Sequence, residues 1–179
     1  MPLYTGRGDA GETDLLGDRV PKSHHRIEAL GSLDELNAAL GVALAVMSEG
    51  PDAGLLDRVQ NDLFTVGAEL AMAPGQSRGL APPLGHERVR ELEEGIARLE
   101  VDLDPQKAFV LPGGSQAAAY LHYARAVVRR AERRVVVLDS KERVNPETLR
   151  YLNRLSTLLH AMALRANQAA QIEERHPNY

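Results

Sequence analysis

Cysteine and tryptophan are both absent from this 179-residue sequence, and phenylalanine occurs only twice. Without thiols there is no disulfide frame, no thiolate metal site and no cysteine nucleophile, which favours a reducing compartment. No uninterrupted apolar run approaches the roughly 18 residues that a membrane-spanning helix needs, so we expect no such span. The first residues also lack the basic and then apolar layout of a signal peptide. We therefore expect a cytoplasmic enzyme or binding protein.

Charge is present in ordinary amounts, with 26% charged residues and a net charge of −4. Because the chain is acidic overall, it is not a general binder of polyanions such as nucleic acids, and any basic site has to be local. The hydrophobic fraction of 44% and the length suit one domain, residues 1–179, with a real core. The six histidines show no pair with His-Glu-x-x-His spacing, so we expect no metal site of that kind.

Apolar residues recur at helical spacing in five stretches, and no segment alternates convincingly enough for a strand. Asp52, Ser115 and Asn145 are placed to cap the second, fourth and fifth helices. The chain from Pro74 to Pro83 is a Pro/Gly-rich loop. Five helices with short links predict an all-α fold, a five-helix antiparallel bundle over residues 27–172. An N-terminal segment, 1–26, precedes it, and a tail, 173–179, follows. The predicted helices cover about 27–49, 52–70, 86–99, 116–137 and 146–172.

The fourth helix carries a dense set of arginines. Arg125, Arg129 and Arg133 lie four residues apart and share one face, with Arg130 and Arg134 beside them. Like charges at this spacing repel by a few tenths of a kcal/mol per pair. An anion with several oxygens would offset that repulsion through charge-assisted hydrogen bonds. The alternative is a solvated face neutralised by neighbouring acids such as Glu132.

The N-terminal segment from Thr5 to Thr13 is rich in glycine and threonine. Glycines let backbone N–H groups converge on an anion, and threonines add hydroxyl donors. The segment is not a Walker loop, since it lacks the Gly-Lys-Ser/Thr ending. The alternative is a flexible arm without a ligand.

Three further positions are candidates for chemistry. Asp34, beside Glu35, either suits the dipole of a first helical turn or pairs with an arginine of the fourth helix. Asn153 lies mid-helix, where its propensity is poor, and its amide either contacts a nucleoside or forms an interhelical hydrogen bond. Phe109, before Leu111-Pro112-Gly113-Gly114, is one of only two phenylalanines, and the usual role of such a residue is that of a core anchor.

Together these segments closely resemble the PduO-type ATP:cob(I)alamin adenosyltransferases. Five motifs of that family recur in family order across roughly residues 4 to 165. They are Tyr4-Thr5-Gly6-Arg7-Gly8-Asp9-Ala10-Gly11-Glu12-Thr13; Glu28-Ala29-Leu30-Gly31-Ser32-Leu33-Asp34-Glu35-Leu36-Asn37; Phe109-Val110-Leu111-Pro112-Gly113-Gly114; Arg125-Ala126-Val127-Val128-Arg129-Arg130-Ala131-Glu132-Arg133-Arg134; and Leu152-Asn153-Arg154-Leu155-Ser156. A basic segment ending in Lys22 also matches.

The resemblance implies a five-helix bundle that forms a homotrimer with active sites between subunits. It implies transfer of the 5′-deoxyadenosyl group of ATP to the Co(I) of a corrinoid, with Mg²⁺ at the triphosphate. A reductase and an acceptor mutase would be partners. The implied triphosphate contacts are Thr5, Gly6, Arg7, Gly8, Thr13, Asp14, Lys22, Arg129, Arg130 and Arg133. Glu132 would lie near the nucleotide or its Mg²⁺, Asn153 would contact the nucleoside, Arg125 would pair with Asp34 on the corrinoid side, and Phe109 would press on the lower face of the corrin.

The chain departs from the family at three places. Gly6-Arg7 stands where relatives have Arg/Lys and then Thr, and Thr157 stands where many carry Asp. The tail from Glu173 matches nothing, so the residue that closes the corrin pocket is unassigned. Two other functions stay open: a nucleotide-binding regulator or corrinoid carrier without turnover, and a helical module that binds nucleic acid or a protein through the arginine face.

Overall fold

The computed structural model describes residues 4–16, 18–72, 82–105 and 108–178. Its helices confirm the predicted five-helix, all-α bundle. The predicted loop at 74–83 lies almost entirely outside the described residues. In chain order the elements are β1 (Glu12–Leu15), β2 (Asp18–Pro21), α1 (His25–Leu44), α2 (Pro51–Ala71), α3 (His86–Glu100), α4 (Gln116–Asp139) and α5 (Pro146–Ala169).

The N-terminal segment holds an antiparallel strand pair, so the prediction that the chain has no strand is wrong. Glu12 of β1 lies opposite Pro21 of β2, and Leu15 lies opposite Asp18. Each strand is only four residues long, with two exposed residues in β1, three in β2 and none buried in either. A strand so short and so polar shows too little alternation to be recognised, because its pairing comes from backbone hydrogen bonds rather than from an apolar face.

Capping residues set most of the helix ends. The Ser115 hydroxyl accepts a hydrogen bond from the N–H of Ala118, and the Asn145 side chain accepts one from the N–H of Glu147, which confirms both predicted caps. Asp52 is not a cap: Gly50 precedes α2, and Pro51 occupies its first turn. Asp52 therefore lies inside the first turn, where its charge suits the helix dipole.

Ion pairs between helices show the direction of the bundle. Glu28 and Glu35 of α1 pair with Arg134 and Arg130 of α4 respectively, so the two helices run antiparallel. α4 also packs along α5, and α1 packs along α2. The arginine-bearing helix is thus held between α1 and α5, with its polar face turned away from the core.

The core lies along α5. Leu152, Leu155 and Leu159 have no solvent exposure, and they recur at the helical spacing that the sequence shows. Burying such a side chain contributes about 1.5–3 kcal/mol. No described helix is both long enough and apolar enough to cross a membrane.

Candidate active site

The arginines of α4 fall into two groups by their partners. Arg130 and Arg134 form ion pairs with glutamates of α1. Arg129 and Arg133, one turn apart and exposed, have no carboxylate partner among the described residues. The alternative of a face neutralised by neighbouring acids therefore holds for one group and not for the other.

Arg125 continues the unpaired row one turn earlier. It is half-buried, and burial followed by the charge of Arg129 lowers its pKa. Arg125, Arg129 and Arg133 thus form a row of three cations on one helix face, and we call these three residues the arginine row. Such a row is suited to an anion with several oxygens.

Asn153 of α5 lies beside this row. Its Nδ2 donates to Glu132 Oε1 at 3.0 Å, so the interhelical hydrogen bond considered from the sequence is present. Glu132 is therefore engaged by Asn153 rather than by the neighbouring arginines. Both the Asn153 side chain and Thr157, one turn further along α5, remain exposed. The position where relatives carry Asp therefore lies on the same side of α5 as Asn153.

The strand pair brings the predicted N-terminal residues into one charged cluster. Arg19 donates to Glu12 at 2.9 Å and to Asp14 at 3.2 Å, and it also donates to the carbonyl of Arg7. Arg7 donates to Asp14 at 3.2 Å. Arg19, which the sequence reasoning did not single out, thus organises this cluster. The positive charge that relatives carry at the position of Gly6 lies one residue later here, at Arg7, and Asp14 neutralises it.

Glycines shape the turn before β1. Gly6 has a φ of +69°, a left-handed conformation that glycine adopts without strain and that a side chain would strain. A Cβ added to Gly8 would lie 3.2 Å from Lys22 Nζ, so the ammonium group lies directly over the glycine backbone. Lys22 itself has no carboxylate partner among the described residues.

A single chain does not bring the predicted groups together. The side chains of Thr5, Arg7, Thr13, Asp14 and Lys22 form no hydrogen bond or ion pair with α4 in the part of the chain that the structure describes. The predicted partners Asp34 and Arg125 also form no ion pair within one described chain; Glu35, not Asp34, contacts an α4 arginine. Asp34 lies in the middle of α1, so its first-turn interpretation is wrong.

Phe109 is exposed, not a core anchor: 78% of its surface is accessible. Hydrogen bonds to its backbone and to the residues after it come from the end of α5 and the tail. His176 Nδ1 lies 2.9 Å from the Phe109 carbonyl, and the Leu111 N–H donates to the Arg175 carbonyl at 2.7 Å. Asn167, only 1% exposed, donates to the Gly113 carbonyl at 3.1 Å. The sequence reasoning missed this arrangement.

Two histidines, the buried His122 of α4 and the half-buried His160 of α5, lie close to Arg125. The rings of His122 and His160 are 5.8 Å apart. Burial, and then the charge of Arg125, lowers the pKa of both groups. His122 Nε2 and His160 Nδ1 have no hydrogen-bond partner among the described residues. Burial and the charge of the arginine row thus both disfavour the charged form of these two rings.

One group among the described residues has the composition of a metal site. Ligand atoms of His24, His25 and Glu142 all lie within 4.8 Å of one another. Arg26 already donates to Glu142 Oε2, and the Arg26 N–H bonds to His24 Nδ1. The hydrogen bond from Arg26 lowers the pKa of Glu142. The cluster therefore links the start of α1 to the α4–α5 turn without needing an ion.

Known proteins are similar in sequence to most of this chain. The family model for cobalamin adenosyltransferase matches residues 3–166. The corrinoid adenosyltransferase PduO of Salmonella typhimurium is 43% identical over 164 residues, covering 91% of this chain and 49% of its own length. The corrinoid adenosyltransferase of Bacillus subtilis is 42% identical over 177 residues, covering 96% of this chain and 90% of its own. The chain thus spans about half the length of the Salmonella relative.

Solved structures of PduO-type adenosyltransferases are also similar to this chain in fold. A variant of the PduO-type ATP:corrinoid adenosyltransferase from Lactobacillus reuteri, complexed with cobalamin and ATP, has a TM-score of 0.93 and 31% identity, covering 99% of this chain and 100% of that one. A second variant of the same enzyme, complexed with ATP, has a TM-score of 0.89 and 32% identity. With its fold, its motifs and a family match over nearly its whole length, this chain belongs to the cobalamin adenosyltransferase family.

Proposed function

We propose that this protein transfers the 5′-deoxyadenosyl group of ATP to the Co(I) of a reduced corrinoid, giving adenosylcobalamin and triphosphate. One observation carries the proposal. Arg129 and Arg133 are exposed and have no carboxylate partner among the described residues, whereas Arg130 and Arg134 beside them are paired. A row of unneutralised cations is costly without a ligand, and a polyphosphate offsets that cost.

The chemistry explains why cations rather than a general base are needed. Co(I) supplies the electron pair that forms the bond to C5′, and the C5′–O bond breaks with its electrons leaving on the triphosphate. No proton moves in that step. The protein contributes by holding the nucleotide in line with cobalt and by stabilising charge on the departing triphosphate. Arg129 and Arg133 are the catalytic residues in this proposal.

The remaining nucleotide contacts come from the same surface and from the N-terminal segment. Asn153, exposed on α5, would contact the nucleoside, and Arg130 would add a phosphate contact at the expense of its pair with Glu35. The N-terminal contacts would be those of Thr5, Gly6, Arg7, Gly8, Thr13, Asp14 and Lys22.

The residues present also suit magnesium. Glu132 is a partly exposed carboxylate between Arg129 and Arg133 in sequence, and Mg²⁺ is usually held by one or two carboxylates together with substrate phosphates. When bound with ATP, the ion would neutralise part of the triphosphate charge. Glu132 and the phosphates would hold it, while Asn153 keeps the carboxylate oriented through its hydrogen bond.

The proposal includes a homotrimer with its active sites between subunits. Within one described chain the N-terminal residues do not reach α4, and Asp34 does not reach Arg125, which supports both sets of contacts being made across an interface. The corrinoid would arrive reduced by a separate reductase and leave to an acceptor mutase. We place the reaction in the cytoplasm, where ATP is supplied.

The test is adenosylation of chemically reduced cobalamin with ATP and Mg²⁺. We expect the visible spectrum of adenosylcobalamin to appear with one triphosphate released per product. Arg129→Gln should slow conversion by about 10²–10³-fold, whereas Arg134→Gln, which removes a paired arginine from the same helix, should leave it nearly unchanged. Tight ATP binding by the wild-type protein without triphosphate release would refute the proposal in favour of a regulator or carrier.

A further inference from the structure

The polypeptide around Phe109 lacks internal support. Residues 108–114 form no regular element, and both Phe109 and Leu111 are exposed. We call residues 108–114 the Phe109 loop. An exposed loop without apolar anchors depends on hydrogen bonds for its position. The contacts that fix Phe109 therefore have to come from another part of the chain.

Asn167, at the end of α5, supplies one end of that support. Its Oδ1 accepts from the Ser115 N–H at 2.8 Å, and its Nδ2 donates to the Gly113 carbonyl and to Glu174 Oε1, each at 3.1 Å. The amide thus uses its acceptor and both donors. A Cβ on Gly114, whose φ is +98°, would overlap this amide, so glycine is required there for two separate reasons.

The tail supplies the other end. After α5 the chain reverses at Gln171, with its φ of 55°, while the Ile172 N–H donates to the Asn167 carbonyl at 2.9 Å. The tail then runs alongside the loop, where the Leu111 N–H donates to the Arg175 carbonyl. A carbonyl can only accept, so His176 Nδ1 donates its proton to the Phe109 carbonyl at 2.9 Å.

We propose that residues 172–178 are a clasp that positions the Phe109 loop, and that Asn167 and His176 are positioning residues for the corrinoid side of the reaction. This inference rests on the proposed function, in which Phe109 contacts the corrin. The clasp acts through the Phe109 loop. It holds the backbone on which Phe109 stands, so loosening it affects the corrinoid and not the nucleotide.

The first measurement concerns the clasp alone. Amide hydrogen exchange of the peptide containing Leu111 is compared in the substrate-free wild-type protein, His176→Ala and His176→Asn. We expect faster exchange in His176→Ala and near wild-type protection in His176→Asn, whose amide N–H lies where the imidazole Nδ1–H does. His86→Ala, which removes an exposed histidine bonded to Glu147, is the matched control. Unchanged exchange in His176→Ala would overturn the clasp.

The second measurement concerns its consequence. Loss of one hydrogen bond weakens a contact about two- to twelvefold, so His176→Ala should raise the KM for corrinoid or lower kcat by that factor while the KM for ATP stays constant. His176→Asn should restore the value, and Asn167→Asp should show the same direction as His176→Ala. Equal changes for both substrates would overturn the positioning role. If the wild-type protein releases no triphosphate, the proposed function fails, and hydrogen exchange still decides the clasp.

Discussion

Replacing Arg129 by glutamine should have opposite effects on stability and on catalysis. Arg129 lies four residues from both Arg125 and Arg133 and has no carboxylate partner among the described residues. Its removal relieves two like-charge pairs, each worth about 0.2–0.5 kcal/mol. We therefore expect the free energy of unfolding to rise by about 0.4–1 kcal/mol. Arg133→Gln also relieves two such pairs, with Arg129 four residues away and Arg130 three residues away, and should show a similar gain.

The loss in catalysis follows from the charge that departs with triphosphate. A cation about 4 Å from an anionic oxygen, at an effective dielectric constant near 20, contributes about 4 kcal/mol. Removing a single preorganised donor from comparable sites lowers kcat by about 10²–10³. Both Arg129→Gln and Arg133→Gln should show a loss of that size, because neither arginine has a second role in holding the fold.

Arg134→Gln is the matched control. Its pair with Glu28 spans 3.5 Å with both side chains about half exposed, so losing it should cost at most about 1 kcal/mol of stability and leave kcat unchanged. Urea denaturation and single-turnover adenosylation measure the two quantities. If Arg129→Gln lowered stability by more than about 1 kcal/mol and kept kcat within about twofold, Arg129 would be a structural residue and its catalytic role would be refuted.

Three further outcomes are expected. Phe109→Ala should leave the melting temperature and the ATP affinity nearly unchanged, since the side chain is 78% exposed, yet slow adenosylation strongly; equal loss of ATP binding in calorimetry would contradict its role. Gln171→Gly should raise the free energy of unfolding by about 1 kcal/mol in urea, because glycine removes the cost of the left-handed conformation, whereas Ala169→Gly, at the last residue of α5, should not raise it. Burial lowers the pKa of His122 and His160, so the unfolded chain binds more protons and stability should fall as pH drops below about 6.5; a double glutamine variant whose melting temperature kept the same pH dependence would contradict this.

The helices could be predicted because their signals are local. Ser115 and Asn145 cap through atoms two or three residues away, and the leucine spacing of α5 directly records its buried face. The strand pair could not be predicted in this way. Its stabilising contacts join Arg19 to Glu12 and Asp14 across a turn, and exposed ion pairs leave no apolar alternation in the sequence.

The acids of α1 show that residue spacing alone does not predict which acid pairs with an arginine. The rotation of α1 about its own axis, relative to α4, also has to be known. Glu28 and Glu35 are seven residues apart and therefore share a face, which the structure turns toward α4. Asp34 lies about 100° from Glu35 around the helix axis, so its side chain leaves α1 in a different direction. Which acid reaches an arginine depends on the packing of α1 against α4, which the sequence does not encode at one position.

The support of the Phe109 loop is non-local in the same sense. Asn167 and Ser115 are 52 residues apart, and His176 and Phe109 are 67 apart. A polar residue near the end of a predicted helix gives no sign that it bonds to a distant loop. The one sequence signal for the contact with Asn167 is the pair Gly113-Gly114, because two adjacent glycines often indicate that another group approaches the backbone closely.

The distribution of charge explains why one chain holds only part of the proposed site. In the N-terminal segment Arg7 and Arg19 are neutralised by Glu12 and Asp14, so apart from Lys22 this segment offers an anion mainly backbone N–H groups and hydroxyls. In contrast to the N-terminal segment, the arginine row offers an anion unneutralised positive charge but few neutral hydrogen-bond donors. A triphosphate needs both, since cations stabilise its charge while directional donors fix its oxygens. The two surfaces are complementary but form no hydrogen bond or ion pair within one described chain, which is why the function proposed above includes an assembly that brings one subunit's segment to another's α4.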